Sequence, residues 1–183
     1  MKTMFKLSFS LAAYAVVACV GLAFVYQATS PLIAAAAERE TQAALKVVFP
    51  EASSFEAVGE KLDSGAKNVT FDKAYLAKSD SLTIGMVIQV TGPTYGSSTV
   101  VVGVGSDGKL KPLRFLANSD TPGLGTKTAK SPFIDQFTAK PATDAFKVGQ
   151  DVVAISGATI SSKAVANLVK LAATKADAFL AAR

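Results

Sequence analysis

The chain has 183 residues, half of them hydrophobic, with 19 Lys and Arg against 14 Asp and Glu, no histidine and one cysteine. That length holds one domain plus a small appendage. The missing residue types exclude His-based triads and general bases, His metal sites, internal disulfides, CxxC chemistry and Cys-ligated iron–sulfur clusters. The net charge of +5 falls to +3 without Lys2 and Lys6, too weak and dispersed to argue for nucleic acid, and any redox chemistry has to come from an organic cofactor.

Leu7 to Tyr26 carries no charge and is long enough to cross a bilayer as a helix. Lys2 and Lys6 precede it, and no charge follows until Glu38. The positive-inside rule then puts the N-terminus in the cytoplasm and the rest outside. Two rivals share this stretch. Ala34 to Ala37 offers small-residue cleavage sites for a signal peptide, and Val16-Val17-Ala18-Cys19 loosely matches a lipoprotein signal. Val20 to Tyr26 stays apolar past the cysteine, so the expectation is a retained membrane helix. Pro31 marks a bend or a new helix start. Glu38 to Phe49 reads as an amphipathic helix with Ala43, Ala44, Val47 and Val48 on one side, ended by Pro50. The expected divisions are therefore 1–30 for the N-terminus and membrane helix, 31–50 for a connecting helix, and 51–183 for the domain outside.

Ser53 to Lys67 has no firm pattern, and Val69 to Leu76 reads as a short strand pair. Leu82 to Thr91 alternates as a strand, Gly92 to Ser98 is a turn, and Thr99 to Val104 returns. Ser106-Asp107-Gly108-Lys109 makes a second hairpin turn before a third strand over Leu110 to Leu116. This meander predicts an antiparallel sheet and an α+β domain. Gly103 to Gly108 matches G-x-G-x-x-G, but a dinucleotide fingerprint must open a helix, and Lys109-Leu110-Lys111-Pro112 cannot.

Asn118 to Lys127 contains Thr121-Pro122-Gly123-Leu124-Gly125-Thr126, a loop whose backbone can approach a ligand or merely connect elements. Phe133 and Phe137 read as core. Val152 to Ile155 reads as a buried strand, Ser156 to Ser162 as a strand-to-helix turn, and the chain from Lys163 as a helix. Val165, Leu168, Val169, Ala172, Ala176, Phe179 and Leu180 fall on one face of that helix. The turn is either a phosphate-binding helix N-terminus or a plain serine-capped start.

Ser156-Gly157-Ala158-Thr159, followed by Ile160-Ser161-Ser162-Lys163, resembles the flavin-attachment motif of the FMN-binding domain family, whose members include the G subunit of Rnf ion-translocating complexes. The 120–125 loop is similar to that family's Glu-Thr-Pro-Gly-Leu-Gly motif, with Asp120 in place of Glu, and Tyr95-Gly96 resembles its Tyr-Gly turn. The resemblance implies covalent FMN, attached through a phosphoester to Thr159. It implies contacts from Ser156, Gly157, Ala158, Ser161, Thr121, Gly123, Leu124, Gly125, Thr126, Lys127 and Tyr95. No catalytic residue and no metal site is implied.

The implied role is electron transfer in a ferredoxin:NAD-type complex in a bacterial membrane. The implied partners are the other membrane subunits, lipid and a flavin transferase. A free-standing membrane flavoprotein and a flavin-free anchor or assembly factor remain the alternatives. One departure from the family pattern stands out: the acid usually found three positions before the serine, thought to help the transferase, is Val153 here.

Overall fold

The computed structural model describes residues 2–60, 62–80 and 82–182, apart from the side chain of Lys2. The chain divides into two compact units, residues 1–41 and 42–183. Helix α1 (Lys2–Val48) begins in the first and ends in the second. It continues through Pro31 with neither a break nor a new start. Within the first unit, Phe5, Phe9, Leu11, Val20, Phe24 and Tyr26 all stand exposed, and the helix is long and apolar enough to cross a membrane.

The second unit is a five-stranded antiparallel sheet in chain order: β1 (Ser54–Ala57), β2 (Thr70–Ser79), β3 (Leu82–Pro93), β4 (Ser97–Gly105) and β5 (Arg114–Asn118). Helix α2 (Thr159–Ala181) follows. The α+β class and the β3–β4 meander match the sequence pattern. Other details differ. β1 lies in the stretch without a pattern. β2 is one ten-residue strand rather than a pair, with a register shift between Phe71 and Lys73. The last strand starts at Arg114 instead of Leu110, because Pro112 has no N–H to give a ladder; Leu110 keeps only an isolated bridge to Val104.

Both faces of the sheet are covered. On one face Met86, Ile88, Val90, Val100, Val102 and Val104 pack with Val165, Leu168, Val169 and Ala172 of α2. The predicted α2 stripe is buried through Ala176, with Phe179 and Leu180 partly buried against the same cluster. On the other face the end of α1 supplies Ala44, Leu45 and Val48, and Phe49 directly after it joins them, in a second cluster with Tyr75, Val87 and Val101. The predicted face named Ala43 and Val47, which are exposed. The larger side chains, Leu45 in the helix and Phe49 just past its end, face the sheet instead, since they remove more apolar surface from water.

Phe49 explains the false dinucleotide motif. A Cβ on Gly103 would lie 2.3 Å from Val48 Cγ1 and 2.9 Å from the Phe49 ring, and one on Gly85 2.3 Å from Phe49 Cζ. These glycines clear floor space for one aromatic ring. Lys111 lies over the same ring, 5.2 Å from its centroid, and pairs with Glu51 at 2.8 Å.

Candidate functional site

The site forms where α2 begins. The segment before it is extended but is no strand of the sheet. Val152 makes a single parallel bridge to Val148, and side chains satisfy the backbone that follows. Gln136 receives the Val153 N–H at Oε1 (2.8 Å) and donates from Nε2 to the Val153 carbonyl (3.2 Å). The Ile155 N–H donates to Ser162 Oγ at 3.1 Å. A segment tied down this way has no need of a neighbouring strand, which the apolar run alone could not reveal.

Gly157 at φ +78° turns the chain, and α2 starts at Thr159, four residues earlier than the pattern suggests. The serine-capped reading fails. The N-cap is Ala158, with no side-chain cap. Ser162 points back, donating to the Ala158 carbonyl at 2.9 Å. Among the described residues nothing accepts the backbone N–H groups of Thr159, Ile160 and Ser161. A helix start with three free donors is positive and favours an anion.

These donors open on a cleft of about 510 Å³ lined by Tyr95, Thr121, Leu124, Gly125, Gly157, Ala158, Thr159, Ile160 and Ser161. Eight of the twelve predicted site residues therefore meet there. Ser156, Gly123, Thr126 and Lys127 do not line it. Gly123 holds φ +75° and donates to Thr126 Oγ1 at 3.0 Å, so both shape the loop from behind. Lys127 is exposed and lines a second cavity. Ile160 went unpredicted; its place directly after Thr159 on an exposed helix turn was the available signal.

Asp120 holds the cleft's two loops together. It is 3% exposed. Its Oδ1 accepts from Thr94 Oγ1 and from the Gly96 N–H at 2.8 Å, and its own N–H donates to Asn118 Oδ1 at 2.9 Å. The Tyr95-Gly96 turn is thus fixed to the 120–125 loop. Burial pushes the carboxyl pKa up, but hydrogen bonding from Thr94, the Gly96 N–H, Ser161 and the Tyr95 N–H together outweighs burial and holds it below the ordinary value. Oδ2 nevertheless has no partner of full hydrogen-bond geometry. A Cβ on Gly125 would lie 2.5 Å from Asp120 Cβ and 2.8 Å from Ser161 Oγ, so only glycine lets the loop close on the helix here.

The other nearby acid is committed elsewhere. Asp151 accepts from the Phe146 N–H at 2.7 Å and the Lys147 N–H at 2.5 Å. Burial raises its pKa; these bonds, with Lys140, bring it below the ordinary value. Val153 stands 74% exposed.

Comparison with known proteins agrees with this geometry. A family model described as the FMN-binding domain matches residues 94–174, which span the cleft from Tyr95 through Ser161. A second, the RnfG N-terminal region, matches residues 1–48. The G subunit of the Na(+)-translocating ferredoxin:NAD(+) oxidoreductase complex of Acetobacterium woodii is 31% identical, over 93% of this chain and 90% of its own. The chain belongs to the RnfG family. It is also 32% identical to the G subunit of the proton-translocating ferredoxin:NAD(+) oxidoreductase complex of Clostridium ljungdahlii, over 86% of this chain and 83% of the relative. The G subunit of the ion-translocating oxidoreductase complex of Methanosarcina acetivorans is 31% identical over 90% and 89% of the two chains. Among solved structures, NqrC of Shewanella oneidensis shares the fold of this family member, with a TM-score of 0.51 at 16% identity over 74% of each chain.

Proposed function

We propose that this chain is the electron-transfer G subunit of a membrane ion-translocating ferredoxin:NAD oxidoreductase complex and carries FMN covalently on Thr159. The observation that carries the reading is the uncapped start of α2. Three free N–H donors, at Thr159, Ile160 and Ser161, share the first helical turn with an exposed threonine that lines a cleft. The residues fit the group. A phosphoester on Thr159 Oγ1 leaves one anionic phosphate oxygen, which those donors offset. Leu124, Ile160 and Tyr95 give apolar walls to a flat ring, and Gly125 and Gly157 bring backbone close to it.

The flavin supplies the electron chemistry when bound; the chain holds and orients it. Lys127 stands beside the loop as an electrostatic partner for anionic groups. The apolar helix of α1 anchors the domain in the membrane, with the N-terminus on the cytoplasmic side and residues 51–183 outside, connected through 31–50. A domain outside the cytoplasm has no flavin pool from which to replace a lost cofactor, which gives the covalent bond its purpose. The other membrane subunits are its partners, and a flavin transferase attaches the FMN.

A denaturing gel viewed under ultraviolet light tests the reading. Protein from its own cell gives a fluorescent band, and Thr159→Ala gives a dark one. A dark wild-type band rejects it. Val153 favours a second reading, a flavin-free member of the family. The position is open to an incoming enzyme yet carries no charge, and Asp151 is already engaged.

A further inference from the structure

Exposed apolar side chains are unevenly spread over the second unit. Among the described residues from 42 onward, the large exposed ones are Val47, Leu82, Tyr95, Leu124, Val153 and Ile160. Four of these six ring the start of α2. Tyr95 (68% exposed), Leu124 (45%) and Ile160 (63%) line the cleft, and Val153 (74%) lines the neighbouring cavity. That cavity measures about 670 Å³. Pro132, Phe133, Val153, Ala154 and Ile155 make its apolar wall. Two of its four polar members are used internally: Gln136 clamps the Val153 backbone, and Ser131 Oγ donates to Asp135 at 2.5 Å.

The exceptions are Lys127 and Lys130, which line the cavity and have no acidic partner among the described residues. Lys163 is exposed one helical turn beyond Thr159. An apolar patch beside unpaired cations, with a hollow large enough for an inserted side chain, is the anatomy of a protein interface. Its charge complement is acidic. The concave shape suits an inserted side chain better than a flat lipid surface.

We propose that the face around the start of α2 is a docking surface for a protein partner that inserts an apolar side chain beside Phe133 and Val153 and sets carboxylates against Lys127, Lys130 and Lys163. The proposal rests on the flavin reading for its purpose, because a partner seated here lies against the cleft. The geometry of the cavity and the lysines stands without it.

The test uses the complex purified in mild detergent from its own cell and treated with a carbodiimide, which joins amines directly to carboxylates. Peptide mass spectrometry is expected to find Lys130, with Lys127 or Lys163, joined to Asp or Glu of another subunit. Lys130→Glu is expected to slow electron flow through the complex at least threefold at low salt, with the difference shrinking as salt rises. Three results overturn the proposal. The first is Lys130 joined only to acids of its own chain or of a second copy. The second is no effect of Lys130→Glu at any salt. The third is protection of Lys130 from acetylation by anionic phosphatidylglycerol vesicles in place of a cross-link. The ultraviolet gel on the same sample keeps the two readings apart: a dark band removes the flavin, and the cross-link alone then decides the docking face.

Discussion

Two glycine-rich stretches of this chain look alike in sequence and do opposite work. Gly103, in the false dinucleotide motif, and Gly85 beside it lie on the floor of the sheet under Phe49, where an added Cβ meets carbon at 2.3 Å. Gly123, Gly125 and Gly157 lie where two loops meet the start of α2. Two of these three hold positive φ, at +75° and +78°, and Gly125 closes on Asp120 and Ser161. The first set makes room for a side chain that the protein already has. The second leaves backbone and an exposed threonine facing a cleft. Glycine spacing does not distinguish them; what surrounds each glycine does.

The comparison breaks most visibly at the cleft. Thr159→Ala is expected to abolish covalent flavin while leaving the thermal midpoint of the unmodified domain nearly unchanged, because an exposed helix position contributes within about 0.5 kcal/mol. Fluorescence of the denatured chain and a melting curve check the two halves.

Gly103→Val tests the other set. Overpacking between Val48 and Phe49 is expected to cost about 1–3 kcal/mol or more, read as a lower urea midpoint, with flavin attachment retained in whatever fraction folds. Loss of flavin from folded protein would show that the two regions are coupled.

Asp120 sharpens the contrast, since it belongs to the core by burial and to the cleft by its contacts. Asp120→Asn is expected to destabilise by about 1–3 kcal/mol at neutral pH, through loss of hydrogen bonds to a charged acceptor. The sign with pH follows from its lowered pKa. The stabilisation is present above the unfolded value of about 4 and is lost as pH falls through the lower folded value. Wild type is therefore expected to lose stability below about pH 4 more steeply than the Asn variant. Denaturant midpoints between neutral and strongly acid pH measure it.

The smallest effect on stability belongs to Val153→Asp, at an exposed position whose backbone is already held by Gln136. The melting curve should move within about 0.5 kcal/mol. The flavinylated fraction should rise when the transferase is limiting, read by intact mass.

Much of this fold was legible in the residues. The β3–β4 alternation and the α2 stripe name their own buried faces because burial has a period. The stretch before α2 misleads for the converse reason. Val152 to Ile155 has a strand's composition, but Val152 bonds within its own turn and Val153 and Ile155 bond to the side chains of Gln136 and Ser162, which no local pattern encodes. The end of α1 was rotated by one residue, since small alanines fit either face until Phe49 finds its glycine floor. The cleft was readable as two motifs. The role of Asp120 in fastening one to the Tyr95 turn was not, because it depends on residues 24 and 26 positions away meeting in space.

The intact mass of the protein purified from its own cell tests the central claim most directly. The account predicts a chain heavier by one FMN less one water, with the addition confined to the peptide that contains Thr159. A bare chain mass, or the same addition on any other residue, would contradict it.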